Sequence, residues 1–173
     1  MKKIKLLFLF VLSVFLITGC MGDVSNKENI ILPAALPEDA KGWTELSRYI
    51  GDVDGDGNDE TVVLSTSAER DEDGEILWND GQNWLLYVND SDETYVLLNE
   101  FIQLGNVYFE VLDYYMEDGI EPCINVITTT GSGFNLKNYK FNDGGYKVSS
   151  LYDTTETTKA GVNRRFTSIP ESR

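Results

Sequence analysis

From Trp43 onward, short runs of β-branched and aromatic residues are cut at close intervals by clusters of Asp, Asn, Gly and Ser. Asp71-Glu72-Asp73-Gly74, Asn79-Asp80-Gly81, Asn89-Asp90-Ser91-Asp92 and Asn142-Asp143-Gly144-Gly145 are such cuts. Gly reaches positive φ at no steric cost, and Asp and Asn side chains bond their own backbone, so each cluster turns the chain back on itself. A chain interrupted this often is confined to hairpins. The runs between the cuts predict strands over 45–50, 61–67, 84–89, 94–99, 107–114, 123–129, 135–141 and 146–152. Tyr139-Lys140-Phe141 places two rings on one face and Lys140 on the other, as a half-buried strand requires. The helical period of 3.6 is missing, apart from an expected turn near 98–104. The expectation is an all-β domain of two blade-like antiparallel sheets, with about seven or eight strands, packed as a sandwich.

One of the turns carries more charge than a turn needs. Residues 51–64 read Gly-Asp-Val-Asp-Gly-Asp-Gly-Asn-Asp-Glu-Thr-Val-Val-Leu. Asp52, Asp54 and Asp56 alternate, Gly57 stands sixth counting from Asp52, and Glu60 ninth. Carboxylates this close repel one another unless a cation lies between them. Ca²⁺ takes six to eight hard oxygens at about 2.3–2.6 Å, mostly carboxylates and carbonyls, with Gly supplying the sharp bend. Mg²⁺ suits such a loop less, because it demands tight octahedral geometry and keeps its waters. An EF-hand places a bidentate Glu twelfth and flanks the loop with helices. The twelfth position here is Val63, within a β-branched run, so the loop leads into a strand. An acidic hairpin turn without an ion is the alternative reading.

The loop has an echo. Asp56-Gly57 and the strand after it are repeated 62 residues later by Asp118-Gly119 and its strand, and a period of that length suits one small sheet per copy. With these features the chain resembles the FG-GAP/VCBS repeat family, which includes the calcium loops of integrin α-chain propellers. The family loop runs Asp-x-Asp-x-Asp-Gly-x-x-Asp between two strands. Gly51, Asp52, Asp54, Asp56 and Gly57 match it, and Glu60 replaces the last Asp. The resemblance implies one structural Ca²⁺ held by the side chains of Asp52, Asp54, Asp56 and Glu60 and the carbonyl of Asn58. The second copy has Tyr114 and Met116 in place of the first two aspartates, so one ion per chain is expected. Two copies are too few for a closed propeller of four to eight blades. Hence the sandwich.

The chain begins with Lys2, Lys3 and Lys5, and residues 6–17 are apolar except for Ser13. That run is shorter than the roughly 20 residues of a membrane-crossing helix and has the anatomy of a secretory signal. Its end, Leu16-Ile17-Thr18-Gly19-Cys20, resembles the lipobox of bacterial lipoproteins, which implies cleavage before Cys20 and diacylglycerol on its sulfur. The expected organisation is a signal helix over 1–19, lipidated Cys20 with a Pro-containing tether to residue 42, a β-domain over 43–153 and a polar tail over 154–173. The domain divides into degenerate repeats over about 45–105 and 106–153. Removing residues 1–19 deletes three Lys and no acid, taking the formal net charge from −15 to −18. Such a surface excludes nucleic acid as a partner. With no His in the chain, His-based triads, bases and metal ligands are excluded as well. Cys123, alone once Cys20 is acylated, reads as a small buried hydrophobe in a strand.

No catalytic residue is visible. Acidic pairs such as Glu69/Asp71 and Glu117/Asp118 read as solvated loops, and Ser132 lacks the Gly-x-Ser-x-Gly pattern of a nucleophile elbow. The functional expectation is a lipid-anchored lipoprotein on the extracytoplasmic face of a bacterial membrane. It is not an enzyme, and its calcium-stabilised domain binds an extracellular protein or glycan, or serves the envelope. The alternative is a carboxylate-dependent cell-envelope hydrolase or accessory subunit.

Overall fold

A computed structural model describes residues 29–154 apart from Asp118 and Ser132. The signal helix, Cys20 and the tail beyond Thr154 lie outside the described residues.

Two antiparallel sheets pack face to face. The first is a four-stranded meander of β2 (Thr44–Gly51), β3 (Glu60–Thr66), β4 (Gly81–Asp90) and β5 (Glu93–Gln103), in that spatial order. The second runs β1 (Ile30–Ile31), β9 (Gly145–Asp153), β8 (Gly133–Asn142), β7 (Gly119–Thr130) and β6 (Val107–Met116). Among the described residues the chain changes sheets twice, between β1 and β2 and between β5 and β6. All eight longer strands contain the stretches that alternation predicted, most of them entirely.

The inner faces follow the period of two. Val62 and Leu64 of β3, Trp84, Leu86 and Val88 of β4, and Ile124 and Val126 of β7 are buried in one cluster. Tyr139 of β8 belongs to that cluster and Phe141 packs against it, while Lys140 pairs with Glu121 on the other side. Tyr95 of β5 meets Phe141 and Tyr146 edge to face, with ring centroids 5.7 and 5.3 Å apart, so aromatic contacts join the two sheets. Outside the core, a polar ladder crosses the second sheet: Asn138 Nδ2 donates to Asn125 Oδ1, and Asn125 Nδ2 to Glu110 Oε1.

Three features depart from the sequence reading. Residues 98–104 do not form a helical turn: β5 runs straight to Gln103, paired with the start of β4 through Gln82↔Ile102 and Gly81↔Gln103. One extra residue, Leu97, is absorbed where the register shifts opposite Leu86 and Tyr87, which lets both Leu97 and Leu98 be buried. Second, β7 begins before Pro122. Pairing with β8 starts only at Ile124, so at Pro122 the strand has a partner on the β6 side alone, where a missing N–H is tolerated. Third, part of the stretch read as tether is built into the domain. Ile30 and Ile31 pair with Lys147 and Tyr146, and Ala34 N donates to Thr94 O, so residues 29–34 bridge from β9 to β5 and close that side. The first turns away from that side are a single 3₁₀ turn at Glu38–Ala40 and a bend at Gly42, where φ is +95°.

Cys123 is fully buried, as the strand pattern predicted. Its thiol is expected to resist Ellman's reagent in the native protein and to react within seconds in denaturant; fast reaction without denaturant would contradict this burial.

Candidate metal site

The acidic loop joins β2 to β3 at one end of the sandwich, and its conformation follows from its sequence. Gly55 and Gly57 sit at φ +86° and +90°, which L side chains rarely adopt. Their N–H groups donate to the two oxygens of Asp52, at 2.6 and 3.0 Å, and curl the chain around that carboxylate. Asp54 Oδ1 accepts from Asp56 N at 2.9 Å. Between the acids, Val53 is fully buried in the core cluster and pins the loop to the sandwich. A Cβ on Gly55 would stand 3.6 Å from Pro122, so the loop also lies against the second sheet.

Glu60 is the unusual member. It opens β3 and is only 1 % exposed. Its Oε2 accepts from Val53 N at 2.8 Å, while Oε1, equally buried, has no hydrogen-bond partner among the described residues. A buried carboxylate oxygen without a partner is strongly disfavoured unless something positive meets it. One oxygen each of Asp52, Asp54 and Glu60 lie within 4.8 Å of one another. Two oxygens about 2.4 Å from one shared ion can be at most about 4.8 Å apart, so the three fit a single Ca²⁺. The donor set is all oxygen, as a hard cation prefers.

The electrostatics agree. Burial pushes Glu60 above the ordinary carboxylate value, and Asp54, Asp52 and Asp90 push the same way against the hydrogen bond from Val53. Asp54 is likewise raised, first by burial and then by Asp56, Asp90 and Asp52, with the Asp56 N–H opposing. The ion pairs Arg48–Glu45, Lys137–Glu100 and Lys140–Glu121 engage other carboxylates.

Asp56 and Asn58 are placed differently. Asp56 is exposed and turned onto Asn58, accepting from its backbone N at 2.7 Å and from its Nδ2 at 3.0 and 2.9 Å. Those contacts, the backbone one first, hold Asp56 below the usual carboxylate range. The carboxylate group brought together is therefore Asp52, Asp54 and Glu60, with Asp56 shaping the turn. At the echo, Tyr114 and Met116 lie within β6, paired with Glu121 and Gly119, so a tight hairpin stands where the first copy has an open loop.

Asp90 was not singled out from the sequence. Thr61 pairs with Asn89, which sets Asp90 beside the start of β3, and its charge reaches both Asp54 and Glu60. Its only signal in the sequence was membership of a turn cluster. No protein-family model, curated protein or solved structure matches the chain.

Proposed function

We propose that this chain is a lipid-anchored extracytoplasmic lipoprotein whose β-sandwich holds one structural Ca²⁺ and serves as a binding or envelope-associated module without chemistry of its own. The observation that carries the calcium reading is Glu60, buried with one orphaned oxygen beside Asp52 and Asp54. Bound there, the ion offsets two of the three negative charges of Asp52, Asp54 and Glu60 and ties the start of β3 to the loop before it. Glu60 and Asp52 sit at opposite ends of that loop, so their shared ligand closes it. The resemblance to FG-GAP/VCBS loops and the lipobox-like ending at Cys20 support the same reading.

Terbium, a Ca²⁺ analogue that luminesces when an excited aromatic ring lies close, tests the site directly. Tyr146 belongs to the same core cluster as Val53, the residue between Asp52 and Asp54, so an aromatic ring packs beneath the loop. Excitation of the tyrosines is expected to sensitise Tb³⁺ emission, with excess Ca²⁺ quenching it by displacement. Emission that survives in Asp54→Asn with Glu60→Gln would place the ion elsewhere.

A further inference from the structure

The two long sides of the sandwich are finished differently. Residues 29–34 bridge β9 to β5 on one of them. On the other, β2 and β6 end their sheets, and among the described residues neither edge has a further strand. An apolar cleft of about 300 Å³ opens between them, lined by Leu46, Leu64, Trp78, Trp84, Val107 and Phe109. Trp84 is 2 % exposed, yet its Nε1, a donor only, has no hydrogen-bond partner among the described residues. A buried donor left unpaired in the wall of a cleft lacks an acceptor that an occupant can bring. Trp78 stacks on Trp84 with centroids 5.7 Å apart and is 44 % exposed, so an aromatic surface is open as well.

We infer that this cleft and the edge of β6 take an extended basic peptide segment of a partner protein. The inference rests on the reading of the chain as a binding module and names its site and its partner's chemistry. The edge is the first argument. Over 107–112, β6 pairs with β7 without a register shift and contains neither Pro nor Lys, so it lacks the devices that blunt an edge. β2, by contrast, has a bulge between Glu45 and Ser47 and then Arg48. A chain laid along β6 satisfies its outward backbone groups, and every second side chain points between the sheets, beside Val107 and Phe109. By the same alternation Asp113 lies on that inner face, which ends the apolar run and confines the added strand to the cleft.

Charge is the second argument. The cleft lining holds no charged side chain, but its surroundings do. Residues 69–80, the connection that presents Trp78, carry six acids against Arg70 alone, and all but Ile76 are exposed. Arg70 is itself taken up, donating to the carbonyls of Gly74 and Glu45. Glu110 is exposed on the outer face of β6, where the remaining side chains of an added strand lie. An apolar floor within an acidic rim selects alternating apolar and basic residues. The same charge disfavours a second copy, which brings its own net −15 to the edge.

Fluorescence anisotropy and hydrogen exchange on the full chain test this, with the end-blocked peptide Lys-Phe-Arg-Val-Lys-Phe-Arg as the probe. It is expected to bind about tenfold tighter than Lys-Ser-Arg-Ser-Lys-Ser-Arg, of equal charge, and than Glu-Phe-Glu-Val-Glu-Phe-Glu, of equal apolar content. Exchange over 107–111 should slow in the complex while that of β9 is unchanged. Trp78→Ala, at an exposed ring, is expected to keep the fold and lose about tenfold in affinity. Glu72→Lys with Asp73→Lys, outside the cleft, should weaken the basic peptide and strengthen the acidic one. Equal binding of the serine peptide, or affinity unchanged in both variants, would mean general attraction between opposite charges and overturn the proposal. Absence of binding would overturn it too, as would amides over 107–111 already slow in the protein alone. Slow exchange that depends on dilution would give the edge to a second copy, and slow exchange that does not would give it to the chain itself. The peptide is read at the cleft and terbium at the acidic loop. Peptide failure with terbium bound removes this site and leaves the calcium-stabilised module, and the reverse result removes the calcium and leaves the site.

Discussion

Millimolar Ca²⁺ added to chelator-treated protein is expected to raise Tm by on the order of 10 °C. An ion that binds only the folded state at a hundred times its Kd contributes about 2.7 kcal/mol, and a domain of this size gains a few degrees per kcal/mol. The effect should be this large because the folded protein without a cation gathers Asp52, Asp54 and Glu60 within 4.8 Å of one another, Glu60 being buried. Asp52→Asn with Asp54→Asn should remove the increase. Asp56→Asn should reduce it only modestly, since Asp56 acts through Asn58 and not within the cluster. Comparable losses for Asp56→Asn and for the double variant would show that Asp56 swings in to join the ligands.

The second large effect changes sign with the ion. Glu60→Gln keeps the shape of the side chain and removes a buried charge, so without Ca²⁺ the variant is expected to be more stable than wild type, by about 1 kcal/mol or a few degrees in Tm. In saturating Ca²⁺ the order reverses, because the variant has lost a ligand. A pH series separates the two regimes. Glu60 and Asp54 are raised above their ordinary values, so the calcium-free fold prefers them protonated. Their contribution to stability is complete below the unfolded carboxylate range and is lost as pH rises through their folded values. Calcium-free wild type should therefore lose stability relative to Glu60→Gln across that interval. With Ca²⁺, which binds the ionised forms, wild type should gain relative to the variant over the same interval. Parallel curves in both buffers would mean that Glu60 is not coupled to the ion.

The strands were legible because each obeys a local rule. Alternation and punctuation mark 61–67 and 84–89 in the sequence, and β3 and β4 lie there. What escaped depended on distant partners. Nothing in Ile30-Ile31 says that β9 will have an open edge beside it. The extension of β5 through Gln103 is dictated by its register with Gln82 and Gly81, far along the chain. Two sheets packed together could be anticipated from the turn spacing, but the closed side at 29–34 and the open side at Trp78 could not.

The loop divides the same way. Asp52, Asp54 and Glu60 are recognisable from their spacing, because a loop closed on one centre must repeat its ligands at short intervals. Asp56 follows the same spacing, yet its carboxylate turns to Asn58, two residues on, a competition that spacing cannot resolve. Val53 looks like an interruption among acids, and in the fold it is the anchor that holds the loop down. Asp90 belongs to another hairpin altogether, and only the pairing of β3 with β4 brings it near.

Calorimetric titration of Ca²⁺ into chelator-treated wild type and into Asp54→Asn with Glu60→Gln tests the account at its centre. The expected result is binding of one ion per chain in wild type and none in the double variant. Wild type that takes up no Ca²⁺ to several millimolar, or a double variant that still binds one equivalent, would contradict it.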